Sequence, residues 1–402
     1  MNTLSGGRGG LALLCGLWAG AAAADEFDTF NVQAGSTYLH DSNLFRLSSS
    51  ADPNVVLRAP SSSDTLSVNS LGVTLNKPYS LQRFELGASF VDYRYKNFTF
   101  LNFSAFNYNG AWRWSLTPRL RGNATATRSE TLNTFADFRS FIRNVRTETN
   151  NRFDAEYEID GVWRVLGAVS ENEAKNEQLF LAQQNFRNRA VEGGLKFAFP
   201  SGSVASAVVR SARGEYTQLA QPVAASLFDN RFEQRDFEAR LFWAYSGKSS
   251  MDFRATYIDR KHATFAQRDF SGLTGNATVT WGVTGKTRVV GSVSRELASF
   301  VSTSSSYTRL DRLSLGPVWE VTAKLVARAR YEASTRDFLG PVAATAQNDR
   351  TDKLRTLFAG LDWRPYRWVT LSASLQNDTR SSNLPGLDFK STTGTLSAQV
   401  NF

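Results

Sequence analysis

The feature that most constrains this chain is a two-residue alternation of apolar and polar side chains, which returns about 18 times along its length. Near the end, Leu396, Ala398, Val400 and Phe402 share one face, while Ser397, Gln399 and Asn401 take the other. A period of two belongs to β-strands, whose successive side chains point to opposite sides of a sheet. Phe84/Leu86/Ala88/Phe90, Phe153/Ala155/Tyr157/Ile159 and Phe237/Ala239/Leu241/Trp243/Tyr245 are apolar faces of the same kind. Leu273/Ala277/Val279/Trp281, Leu313/Leu315/Trp319/Val321 and Val369/Leu371/Ala373/Leu375 continue the series. The opposite faces are heavily charged, as in Asp154/Glu156/Glu158/Asp160, Arg119/Arg121/Asn123/Thr125 and Arg328/Arg330/Glu332.

The connections also come in two kinds that alternate. Short ones carry Pro or Gly: Asn76–Tyr79, Leu116–Pro118, Phe199–Gly202, Ser246–Lys248, Thr284–Lys286 and Arg364–Tyr366. Longer polar stretches lie near 40–63, 133–148, 218–232 and 338–350. Long loops on one side and tight turns on the other predict one antiparallel transmembrane β-barrel of about 18 strands. Extracellular loops and periplasmic turns are then expected, with both termini on the turn side. The stretch Asp160–Arg164 reads as a turn or a bulge, and the facing of 203–217 stays open. Tyr79, Trp112, Trp114, Trp163, Trp243, Trp281, Trp319, Trp363, Tyr366 and Trp368 recur beside the turns, as an interfacial belt requires. A soluble propeller would instead repeat at about 40 residues with blade signatures, which are not found. Strands of about 13 residues also exceed the usual five or six.

The N-terminus reads as a cleaved secretory leader over residues 1–24, with the barrel over 25–402. Arg8 supplies a basic start, Leu11–Ala21 an apolar stretch, and Ala22–Ala24 a small-residue cleavage site. Cys15 is the single cysteine, and Leu14 stands before it where a lipobox needs a small residue. The mature chain therefore has neither disulfides nor thiolate chemistry. No later segment approaches the roughly 20 apolar residues of a membrane helix. Loss of Arg8 lowers the net charge from +9 to +8. The basic residues are spread over many strands among acids, without the compact patch that nucleic acid requires, so no nucleic-acid partner is expected.

Catalytic motifs are missing, and no enzyme activity, cofactor or metal is expected. His40 and His262 are the only histidines. His40 stands beside Asp41 and Ser42, but sequence neighbours point in different directions and make no triad, and no nucleophile elbow is present. Two distant histidines make no metal site. Four acids spaced by two on one strand face suit lumen pairing with neighbouring cations better than glycosidase chemistry.

What remains is the wall of a water-filled lumen. Its candidate substrate-binding residues are Arg113, Arg119, Arg121, Arg164, Arg240, Arg254, Arg328 and Arg330. They either hold anionic groups of a solute through planar bidentate contacts or pair with acids to stiffen the wall.

The stretch from Tyr38 to Leu47 carries Asp41, Asn43, Phe45 and Arg46 directly after the first strand. It resembles the opening motif of EpsL-type outer-membrane proteins of exopolysaccharide operons, which are associated with exosortase/PEP-CTERM systems. The aromatic Phe402 likewise resembles the closing strand that outer-membrane assembly machinery reads. The resemblance implies an outer-membrane barrel that forms or gates an aqueous path for an exopolysaccharide. Its implied partners are outer-membrane lipid, the polymer and periplasmic export proteins. A general or substrate-specific porin for small solutes is the alternative with the same fold. Within the motif, Asp41 and Asn43 are expected to form an Asx-type turn, Phe45 to anchor the first loop against the wall, and Arg46 to reach an inward acid. A capping turn without a ligand role fits the same residues.

Overall fold

The computed structural model describes residues 29–136, 141–179, 185–218, 229–300, 305–340 and 350–402. The leader expected over residues 1–24 lies outside the described residues. Eighteen strands form one sheet, each antiparallel to its neighbours. They are β1 Phe30–Asp41, β2 Asp64–Tyr79, β3 Gln82–Tyr95, β4 Phe103–Ser115, β5 Leu120–Leu132 and β6 Val145–Glu158. Next come β7 Trp163–Asn176, β8 Asn185–Ala198, β9 Val204–Gln218, β10 Arg231–Ser246, β11 Ser249–His262 and β12 Phe270–Gly282. The last six are β13 Thr287–Ser299, β14 Tyr307–Thr322, β15 Leu325–Leu339, β16 Thr351–Tyr366, β17 Val369–Ser382 and β18 Phe389–Asn401. A five-residue helix, α1 (Pro53–Leu57), lies in the first loop.

The sheet closes on itself. β1 pairs with β18 from Gln33↔Asn401 to Asp41↔Thr393, and Val32 and Phe402 exchange backbone hydrogen bonds of 2.8 and 2.7 Å. Closure leaves no edge strand with unpaired backbone groups, the condition for crossing a bilayer as a sheet. Among the described residues no helix is long and apolar enough to cross a membrane. The strands do so instead. Phe90, Val191, Leu273, Leu315, Leu361 and Leu396 all lie exposed on the outside of the barrel. An apolar surface of that extent is stable only against lipid. At the turn end of the same surface, Trp112, Trp163, Trp243, Trp281, Trp319 and Trp363 are exposed in turn. Trp114 departs from that belt: it is buried, stacked on Phe153 at 5.6 Å.

Two expected turns are displaced. Asn76–Tyr79 belongs to β2, and Ser80 and Leu81 turn the chain, with Ser80 at φ +54°. Pro78 is tolerated within the strand because β1 reaches only to Leu75, so no neighbour calls for its missing N–H. Arg364–Tyr366 ends β16, where the pairing shifts between Trp363 and Tyr366. Asp160 caps a true turn, its side chain accepting from the N–H groups of Val162 and Trp163 at 3.0 and 2.7 Å. In β9, Val209 faces out and Arg210 faces the lumen, where it meets Asp236.

The buried core is not central. It lines the inner wall at the loop end, on β1–β4: Leu39, Val68, Val91, Phe103 and Ala105 form one cluster. Phe45, Leu47, Tyr95, Phe98, Leu101 and Phe135 form a second above it, built mostly from loops.

Candidate functional site: a charged lumen under a pinned first loop

The first loop is held down by the four motif residues. Asp41 ends β1 with its carboxylate pointing inward and buried. Its oxygens accept from the Asn43 N–H at 2.9 Å, closing the expected Asx turn, from Arg46 Nη1 at 2.8 Å, and from Ser391 Oγ on β18 at 2.6 Å. Asn43 then bridges loop and wall, donating through Nδ2 to the carbonyls of Leu47 (2.8 Å) and Lys390 (3.0 Å). Its Oδ1 accepts from the Leu47 N–H at 2.9 Å. All its polar capacity is spent on this fold. The inward acid that Arg46 reaches is the motif's own Asp41, because its φ of +56° turns the chain back over β1. Phe45 meets Tyr95 at the wall but packs mainly on other loops, with ring centroids 4.6 Å from Phe98, 4.6 Å from Phe135 and 5.5 Å from Phe141.

The loops are also tied to each other over the mouth. Arg380, inward on β17, donates to Ala136 O of the β5–β6 loop at 2.8 Å and to Leu387 O of the β17–β18 loop at 2.7 Å. Six strand positions separate β17 from β5 around the barrel, so the β5–β6 loop reaches across the opening. Arg143 of that loop donates to Asn102 O at 2.9 Å and to the Glu177 carboxylate. That hydrogen bond holds the Glu177 carboxyl below its ordinary range, against a smaller opposing effect of burial. Asp64 accepts from the N–H groups of Asn97 and Phe98, both at 2.9 Å, and so fixes the β3–β4 loop.

Below the mouth, six of the eight candidate arginines pair with wall acids. Arg113 forks onto Glu85 at 2.9 and 2.8 Å. Glu156 takes Arg121 at 3.0 Å, Arg164 at 2.9 Å and Lys196 at 2.6 Å. Arg164 also reaches Glu158 at 3.1 Å. Glu238 serves both Arg240 and Arg254, and Asp362 takes Arg328. Cross-strand neighbours on one face stand close enough for such contacts, and here they form a ladder along β5–β11. The other two differ. Arg119 sits in the turn before β5 rather than on the wall, because the chain reverses at Thr117–Arg119, with Leu116 N–H donating to Leu120 O at 3.0 Å. Arg330 has no carboxylate within 4.0 Å among the described residues and lies over the Phe358 ring at 5.7 Å. Gly360 makes room for that ring: a Cβ there would come within 2.9 Å of Phe358 Cζ.

Sequence reasoning missed several residues of this wall, among them Arg152, Arg210 and Arg260. Arg152 grips Glu192 at 2.8 and 2.7 Å, and its parity with Asp154 signals an inward side chain. Arg210 lies in the segment whose facing was ambiguous. Arg260 lies buried between Phe232 (3.9 Å) and Phe270 (5.0 Å), donating to Gln234 Oε1 at 2.8 Å. Its parity with Arg254 places it inward, but nothing local marks its burial, since the three partners come from β10 and β12. His40 Nδ1 meets Thr65 Oγ1 at 3.1 Å and His262 Nδ1 meets Asp269 at 3.3 Å, so each histidine has a local polar neighbour.

Residues 244–402 match a protein family described as "Putative beta-barrel porin 2". A search of curated proteins found no match. Among solved structures, the barrel is similar to a BenF-like porin from Pseudomonas fluorescens Pf-5, with a TM-score of 0.53 and 10% identity over 93% of this chain and 98% of that one. It is likewise similar to OpdK of Pseudomonas aeruginosa solved with vanillate, with a TM-score of 0.52 and 9% identity over 93% and 99%. At such identity the likeness is one of fold.

Proposed function

We propose that this chain is an outer-membrane diffusion channel for small solutes, with a preference for anionic ones. The observation that carries it is a lumen wall dense in guanidinium groups, one of which, Arg330, has no carboxylate within 4.0 Å among the described residues. Glu156 is shared by three cations and Glu238 by two, while Arg330 stands beside an aromatic ring with no acid of its own among the described residues. Cationic side chains lining a narrow path raise the local concentration of anions. A flat guanidinium next to a ring suits a small carboxylate, aromatic ones above all. That OpdK was solved with vanillate, an aromatic carboxylate, supports the same class. Lipid surrounds the apolar belt, and the leader over residues 1–24 is the route of export.

The exopolysaccharide path, with its periplasmic export partners, rests on the resemblance of Asp41, Asn43, Phe45 and Arg46. Each of these has a structural task in holding the first loop, which leaves the small-solute reading ahead. Reconstitution of refolded residues 25–402 in a planar bilayer under a salt gradient tests the proposal. A reversal potential showing chloride over potassium, reduced in Arg330→Ala and Arg254→Ala, is expected, with vanillate or benzoate interrupting the current. Cation preference or a silent membrane overturns it. Block by purified polymer, with small carboxylates inert, returns the exopolysaccharide path.

A further inference from the structure

A second charged surface lies on the outside of the barrel. On β8–β10 the lipid-facing rows change from apolar to basic toward the loop end: Arg187 and Arg189 precede Val191, Arg213 follows Val209, and Arg231 and Arg235 precede Phe237. A groove of about 1170 Å³ opens there, with Phe153, Val169 and Val191 along its apolar side.

Three of the five arginines use the acids at hand. Arg189 meets Glu171 at 2.5 Å, Arg187 meets Glu173 at 2.7 Å, and Arg213 meets Glu233 at 3.2 Å. Arg231 and Arg235 have no carboxylate within 4.0 Å among the described residues. Moreover, Arg189 stands directly opposite Arg213 in the β8–β9 ladder, their side chains 67% and 84% exposed. Like charges facing each other across a ladder destabilise it unless something anionic lies between them. The groove is thus cationic where a bilayer's headgroups begin and apolar where its chains begin.

The geometry points to a binding site for a phosphorylated lipid of the outer leaflet. Its phosphates meet Arg231 and the Arg189/Arg213 pair, with Arg235 beside the groove on the same outward row of β10, and its acyl chains lie on Val169, Val191 and Phe153. The groove's acids, Glu171, Glu215 and Glu233, are held by Arg189, Arg187 (3.6 Å) and Arg213, and Arg231, opposite Glu215 in the β9–β10 ladder, forms no ion pair with it. This inference rests on the outer-membrane placement above and not on conduction through the lumen.

The test uses the full barrel refolded in lipid-free detergent, with bound lipid read by native mass spectrometry. The probes are diphosphoryl lipid A and its dephosphorylated form with the same acyl chains. Retention of the diphosphoryl form alone is expected, weakened roughly ten-fold in R231A/R235A and restored in R231K/R235K. R330A, in the lumen, leaves it unchanged, and heat-dependent gel mobility verifies that each variant is folded. Equal retention of the dephosphorylated lipid, or undiminished retention by R231A/R235A, overturns the site. So does displacement by millimolar inorganic phosphate, or a second copy of the chain occupying the face as a dimer. A barrel that holds the lipid but does not conduct keeps this site and discards the channel.

Discussion

Asp41 carries more of the mouth than any neighbouring residue. Its carboxylate joins the first loop, through Arg46 and the Asn43 N–H, to β18, through Ser391. Arg46 adopts a left-handed backbone that costs an ordinary residue about 1 kcal/mol, and the ion pair offsets that cost. Because Asp41 and Arg46 are both largely buried, Asp41→Ala strands a cation and releases the loop at a cost of about 3 kcal/mol. Faster tryptic cleavage after Arg46 in the folded barrel is the expected readout; an unchanged rate excludes the pin. Phe45→Ala, which removes a fully buried ring, is expected to cost a similar ~3–5 kcal/mol. The Asx turn of Asp41 was readable from sequence, since it involves two residues only. The partner of Arg46 was not, because its conformation depends on a backbone twist that composition leaves undetermined.

Among the elements, the β5–β6 loop is the one suspended between others. Arg143 ties it to Glu177 and Asn102, and Ala136 to Arg380. Arg143 lowers the pKa of Glu177, so the tie contributes stability above the free carboxyl value of about 4.3 and loses it as pH falls through the lowered value. Both side chains are partly exposed, which limits the contribution to a few tenths of a kcal/mol. Relative to the intrinsic exchange rate at each pH, the protection of amides 133–136 and 141–144 is expected to fall at pH 3 compared with pH 6, and Glu177→Gln to reproduce the fall at pH 6. If the variant's amides stay protected at pH 6, the ion pair is not the tie. Strands were legible at this scale because every one repeats the same period. Turn limits were less so: Pro78 looks like punctuation, and only the short reach of β1 shows why it remains in a strand.

For the whole molecule, the first loop and its partners cover the mouth over the sector from β17 through β1 to β6. Deleting residues 44–60 removes that cover while leaving all 18 strands, so single-channel conductance is expected to rise with the heat-dependent gel mobility of the barrel unchanged. Unaltered conductance would mean that the narrowest point lies on the wall, near the Arg330–Phe358 pair. By itself the sequence determined the strand period, the two kinds of connection, the lipid face and the charged lumen face. Those are local properties, set by which side of a pleat each residue occupies. Tertiary structure alone decided which charges are satisfied. Glu156 gathers Arg121, Lys196 and Arg164 from three strands, Ala136 meets Arg380 across the opening, and Arg330 is left beside Phe358. Such meetings follow from the closure and register of the barrel, and no local pattern in the chain encodes the distance between strands far apart in sequence.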